Sequence, residues 1–291
     1  MRVAAAKLSK DSLFSRGAAR EKNLAYFALL DRKLARKDVP HTRFVSLYQG
    51  TVTALDDVNW RTAGMCIVKK PVLKVIAVGA GGQVFAYVGG NAMAESIAPT
   101  PTDLRGCTVV GGYAYACGAN REVFRRYGEG KWLAMHAPSG GSFEAMAGYH
   151  DREIYAVGAD GEIWQLENTD WLQRASPVKV ALTGVCCADD DRVYAVGQRG
   201  TLVVGRDDAW KKLPQPKLTD DLWDVCWFGG KLYAASTSTL YVLKGSVLAP
   251  VDFGSAAPKS CYRLTHADGV LWSIGQDSVA FYDGVKWTRW D

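Results

Sequence analysis

No run of eighteen apolar residues occurs in this chain of 291 residues, so no transmembrane helix and no membrane partner is expected. The seven cysteines are odd in number and include no C-x-x-C pair, which argues against both a disulfide framework and a zinc site. His41, His136, His150 and His266 are scattered, without H-x-E or H-x-x-x-H spacing, and no metal ligand set is assigned. There is no G-x-S-x-G elbow, Walker loop or dinucleotide fingerprint, so neither catalytic residues nor a cofactor are assigned and the protein reads as a non-enzyme. The apolar start of Met1 to Leu8 is broken too early by Lys10 and Asp11 to make the core of a secretory signal. With unpaired cysteines, this points to a reducing compartment, most simply the cytoplasm.

A repeat is what the chain does contain. Tyr194-Ala195-Val196-Gly197-Gln198-Arg199-Gly200-Thr201-Leu202-Val203 reads as two apolar strands joined by a tight hairpin. The same pattern ends at positions 79, 118, 158, 197, 236 and 275, with spacings of 39, 40, 39, 39 and 39. Before each hairpin stands another apolar stretch, such as Leu222-Trp223-Asp224-Val225-Cys226-Trp227. After several of them comes a strand led by Trp132, Trp171, Trp210 or Trp287. Four short antiparallel strands in about 40 residues make one blade of a β-propeller. The fold class is therefore all-β, a propeller of four-stranded blades with an N-terminal helical insertion. Seven blades are favoured and six are the alternative.

Residues 61–291 hold six full repeats of about 39 residues, and 41–60 read as a degenerate first blade because Ser46 to Trp60 can be laid without gaps on Ser273 to Trp287. That alignment puts Tyr48 at the glycine anchor. Residues 1–8, with Val3-Ala4-Ala5-Ala6 at their centre, are expected to supply the inner strand of that blade, and 1–291 to form a single propeller domain. Residues 9–40 read as a basic helical insertion: Leu24, Phe27, Leu30 and Leu34 recur at spacings of three and four, and Asp38-Val39-Pro40 ends the run. Residues 1–43 carry a net charge of +7, whereas the rest of the chain carries −2.

The copies resemble bacterial propeller repeats of the WD-repeat, YVTN and BNR/Asp-box kinds. Ala156 to Ile163 and Ala195 to Leu202 look like the A-V-G-x-x-G-x-[IL] hairpin of the assembly-factor branch of the BNR propellers. Asp283-Gly284-Val285-Lys286-Trp287 is similar to the tail of an Asp box. A Trp-Asp strand ending does not recur from copy to copy, the full Asp box is not repeated, and the arginine triad and tyrosine nucleophile of the sialidases have no counterpart. The resemblance therefore implies a fold and carries no activity with it.

Positions shared by every blade hold the scaffold, so Tyr115, Tyr155, Tyr194, Tyr233 and Trp272 should be core. Buried, inert thiols are expected at Cys66, Cys107, Cys186, Cys226 and Cys261. Positions that differ between copies can make one unique surface. In propellers the inner-strand starts and the hairpin turns emerge on one face, and on it Arg105, Glu144, Arg199, Trp223, Asp224, Tyr262 and Arg263 are candidate partner contacts. Aromatic and arginine residues dominate interface hot spots, although Trp223 is also placed to pack between blades. Arg32 and Arg36 of the basic insertion complete the set. The reading that follows is a protein-binding module, monomeric when free. A single propeller without catalytic motifs suits an inhibitor or immunity protein that neutralises a toxin or effector. Two alternatives remain at this point: a sugar- or lactone-cleaving propeller hydrolase using Glu144 and Asp224, and nucleic-acid binding through residues 9–43, with nucleic acid the less favoured partner.

Overall fold

In the computed structural model, residues 2–4 and 8–290 are described, and they form seven antiparallel sheets that follow one another along the chain. Each sheet is a blade, and one of its edge strands lines a central channel. Blades two to seven have four strands in chain order, beginning with the inner strands Thr62–Val68, Leu104–Val110, Phe143–His150, Leu182–Cys187, Leu222–Phe228 and Arg263–Ala267. The seven-bladed expectation holds.

Blade one departs from its expectation in three ways. Its strands are β1 (Arg2–Ala4), β2 (Ser12–Glu21), β3 (Leu24–Asp31), β4 (Thr42–Tyr48) and β5 (Thr51–Val58), arranged β1-β5-β4-β3-β2. Arg2–Ala4 is thus the outer edge strand, paired with β5, and the inner strand is β2. The expected helix over 9–40 is mostly sheet: only the four-residue α1 (Leu8–Asp11) and the five-residue α2 (Arg32–Arg36) are helical. Tyr48 ends the third strand, so it is not at the anchor, which the ungapped alignment had set one strand too far along.

The helical misreading has a physical cause. Along β3, Ala25, Phe27 and Leu29 enter the core shared with blade seven, whereas Tyr26 and Ala28 enter the core shared with blade two. A strand buried on both faces is apolar at nearly every position, so a spacing of three and four can be found in it without any helix.

The same two-sided burial organises the whole ring. Seven hydrophobic clusters are found, one between each pair of neighbouring blades, the pair of blades seven and one included. Tyr115, Tyr155, Tyr194, Tyr233 and Trp272 are all buried, as their repetition implies. The ring is closed by packing between whole blades. Phe27 packs on Trp272 at 5.9 Å between ring centres, and the Phe14 amide donates to the Gln276 carbonyl at 3.0 Å.

The anchor glycines are explained by close approach. A Cβ on Gly118, Gly158, Gly197 or Gly275 would stand 1.7–2.1 Å from the carbonyl oxygen of Asp103, Ser142, Ala181 or Ser260 respectively. Each of these carbonyls lies in the segment that enters an inner strand, crossing the end of the second strand. No side chain fits there, which is why glycine recurs every 39 residues or so.

Candidate partner-binding face and channel mouth

Each inner strand of blades one to six contains a bulge near its start, where one residue is skipped in the pairing with the second strand. The skipped residues are Ser15, Ala63, Arg105, Glu144, Thr183 and Trp223. Tyr262 stands at the corresponding place in blade seven, between Cys261, whose amide donates to the Thr237 carbonyl, and Arg263, the first paired residue. A bulge re-aims the side chain it frees. Arg105, Glu144, Trp223 and Tyr262 are therefore all bulge-position residues at the rim of the channel.

The following position divides the ring. It is Gly64, Gly106, Ala145 and Gly184 in blades two to five, and Asp224, Arg263 and Arg16 in blades six, seven and one. The small residues are enforced by crowding: a Cβ on Gly64 would lie 2.2 Å from the Cys107 amide nitrogen, and one on Gly184 would lie 3.1 Å from the Asp224 Cα. Charge at this level of the channel is thus confined to three consecutive blades. Arg16 was not singled out from sequence, because it fell inside the expected helix.

The charged residues are held in defined ways. The Arg16 guanidinium donates to the Ala63 carbonyl from Nε at 2.8 Å and to the Ser15 carbonyl from Nη1 at 2.8 Å. The Asp224 carboxylate accepts from the amides of Val225 and Leu264, both at 2.9 Å. Arg263 donates from Nη1 to the Trp223 carbonyl at 2.9 Å, and its guanidinium lies 4.7 Å from the centre of the Tyr262 ring. Trp223 faces Tyr262 at 5.5 Å between ring centres and donates from Nε1 to Thr237 Oγ1 at 3.1 Å. Burial, together with the neighbouring Arg263 charge, lowers Arg16 to about 9, so it stays a cation at neutral pH. Burial raises the Asp224 carboxyl above its ordinary value, against the pull of Arg263 and the two amides.

Of the expected contacts, Trp223, Asp224, Tyr262 and Arg263 form this one cluster. Arg32 of α2 joins the same side of the ring through an ion pair with Asp277, in the blade-seven turn. Arg36 lies exposed on α2. Arg105 and Glu144 pair with each other across blades three and four. Arg199 stands apart on the blade-five turn, in the left-handed region at φ 54°, with its amide bound to Asp221.

The segment between β3 and β4 is the largest turn of its class. Residues 32–41 fill a connection that blade two makes with 80–82 and blade five with 198–200. Asp31 caps α2, accepting from the amides of Lys33 and Leu34 at 2.8 and 3.0 Å. No residue of α2 is buried; Leu34 and Val39 are 38% and 41% exposed, beside exposed Lys33, Arg36 and Lys37.

The alternative chemistries lose their residues here. Glu144 is held by Arg105 and Ser142, and Asp224 by two amides, so they do not form the free carboxylate pair that glycoside cleavage requires. Among the described residues, no group of three or more His, Cys, Asp or Glu side chains could hold a metal ion. Among the described residues the N-terminal basic side chains are divided: Arg16 lines the channel, Arg32 pairs with Asp277 and Arg43 pairs with Asp57. The thiols are unpaired in the described residues, and burial pushes those of Cys186 and Cys226 upward, as expected of inert core cysteines.

Comparison with known proteins decides the family. The chain is 40% identical to the immune protein Tsi7 of Pseudomonas aeruginosa, over 94% of this chain and 96% of that one. It belongs to the Tsi7 immune-protein family. No family model matches the chain. Solved structures show the fold alone. The virginiamycin B lyase of Staphylococcus aureus superposes with a TM-score of 0.78 at 10% identity, covering 96% of both chains. YCF48 bound to D1 peptide gives 0.71 at 13%, covering 97% of this chain and 94% of that one. The WD40 propeller domain of Doa1 gives 0.72 at 9%, covering 94% of each.

Proposed function

We propose that this propeller is a non-enzymatic immunity protein that neutralises a protein toxin by docking it on the face formed by the inner-strand starts and hairpin turns. Membership of the Tsi7 family supports the class of activity. The observation that carries the docking face is the insertion 32–41 with its helix α2, which lies on that face, has no fully buried residue and presents Leu34, Val39, Arg36 and two lysines to solvent. Ordering a segment that adds nothing to a core costs conformational entropy, and long ordered loops on a rigid scaffold commonly carry binding. Trp223 and Tyr262 add an aromatic pair of the type that dominates hot spots. No helix among the described residues is long and apolar enough to cross a membrane; the proposed setting is a free monomer in the cytoplasm.

The test is co-production with the toxin. The reading expects a complex near 1:1, recovered growth of intoxicated cells, and no turnover of the toxin. A chain that cleaves or modifies the toxin, or leaves it fully active while folded, would overturn the reading.

A further inference from the structure

Three charged residues occupy one register position in adjacent blades, and their hydrogen bonding leaves an imbalance. Arg16 and Arg263 bond to backbone carbonyls and neither forms an ion pair among the described residues. Asp224, whose charge acts on both, accepts from the amides of Val225 and Leu264 and forms no ion pair with either among the described residues. Arg263 also keeps a buried Nε with no hydrogen-bond partner. A buried donor left unpaired is costly, and both guanidiniums are half-buried at the cavity wall with no acid paired to them among the described residues. Elsewhere on the rim Arg105 has Glu144 and Asp103, so the deficit belongs to the sector of blades six, seven and one.

The sector is also open and preorganised. It opens into a central cavity of about 1030 Å³, Arg263 is clamped by the Trp223 carbonyl and the Tyr262 ring, and Arg16 is clamped by two carbonyls. Planar guanidiniums held in place recognise carboxylates well.

We propose that the Arg16–Arg263 pair is a carboxylate-binding site, and that its occupant is an Asp or Glu side chain of the toxin inserted into the channel mouth. This rests on the docking face proposed above, and it adds the chemistry the partner must bring. The aromatic pair would flank the entering chain, while α2 contacts the toxin outside the channel.

Acetate serves as the probe of the site itself. Side-chain Nε–H NMR signals of Arg16 and Arg263, assigned by their loss in Arg16→Gln and Arg263→Gln, should shift together and saturate with acetate at constant ionic strength. Chloride should not reproduce the effect, and Arg16→Gln should abolish the shift of Arg263. Absent, non-saturating or chloride-equivalent shifts would overturn the site. Toxin binding then identifies the source of the carboxylate. Arg263→Gln should weaken the complex about 30-fold or more, Arg263→Lys should recover part of that loss, and saturating acetate should compete with toxin in the wild type only. Acetate that binds without competing would mean the site takes a free carboxylate, and the assignment to the toxin would fall. A chain that binds acetate as described but no toxin would instead sink the docking face and leave the site standing. Circular dichroism and the unfolding midpoint separate these outcomes from misfolding, with Arg192→Gln, in the connection between the first and second strands of blade five at the opposite end of the blade, as the control.

Discussion

Blades two to five and blades six, seven and one are built on the same four-stranded plan, yet they treat the channel wall differently. In the first group the position after the bulge is glycine or alanine, because the neighbouring inner strand leaves no room: Gly64 faces the Cys107 backbone and Gly184 faces that of Asp224. In the second group the same position carries Asp224, Arg263 and Arg16, the bulge positions of blades six and seven carry Trp223 and Tyr262, and the turn of blade one is enlarged by α2. Small residues give tight blade-to-blade packing, whereas the charged sector has room for side chains that a partner can reach. The tightly packed wall and the charged sector are thus separated around the ring.

The largest effect expected from breaking this division is on folding. Gly64→Ala places a methyl group against backbone and should destabilise the protein by about 2–4 kcal/mol, read from chemical denaturation; a change near zero would show that the wall of blades two to five can relax. Next in size is Trp223→Ala, which should cost about 1–4 kcal/mol of toxin affinity in a calorimetric titration while the unfolding midpoint moves little. Replacing residues 32–41 with a four-residue turn should weaken the complex and change stability by no more than about 1 kcal/mol, since α2 buries no residue and loop length itself costs little.

The smallest effect concerns pH. Arg16 is lowered to about 9 in the folded chain from 12.5, first by burial and then by Arg263. The unfolded state therefore binds the extra proton between those values, and this group's contribution to stability rises with pH across that window. Other groups titrate there too, so the check is a difference: from pH 7.5 to 10.5 the stability of the wild type minus that of Arg16→Gln should move in the wild type's favour. A difference that stays flat would place Arg16 in ordinary solvent.

The propeller was legible because its constraint is backbone crossing, which excludes a side chain at Gly118, Gly158, Gly197 and Gly275 and therefore repeats visibly, with Ser236 the exception. Blade one was not legible for the same reason turned round. It lacks the anchor glycine, and β3, buried on both faces, offered a helical spacing by coincidence. The cluster of Trp223, Asp224, Tyr262 and Arg263 could be found by comparing equivalent positions of the copies. Arg16 could not, because its blade had no register; once β2 is aligned by its bulge, Arg16 falls in line with Arg263. That the rim residues also staple blades together, as Arg263 does to the Trp223 carbonyl, is a three-dimensional fact with no trace in the spacing.

Hydrogen exchange of the chain with and without bound toxin tests the division most directly. The account predicts new protection at residues 32–41, 222–224, 261–263 and 276–277, with the turns 120–121 and 160–161 of blades three and four unchanged. Protection centred on blades two to five, or on the opposite face of the ring, would contradict it.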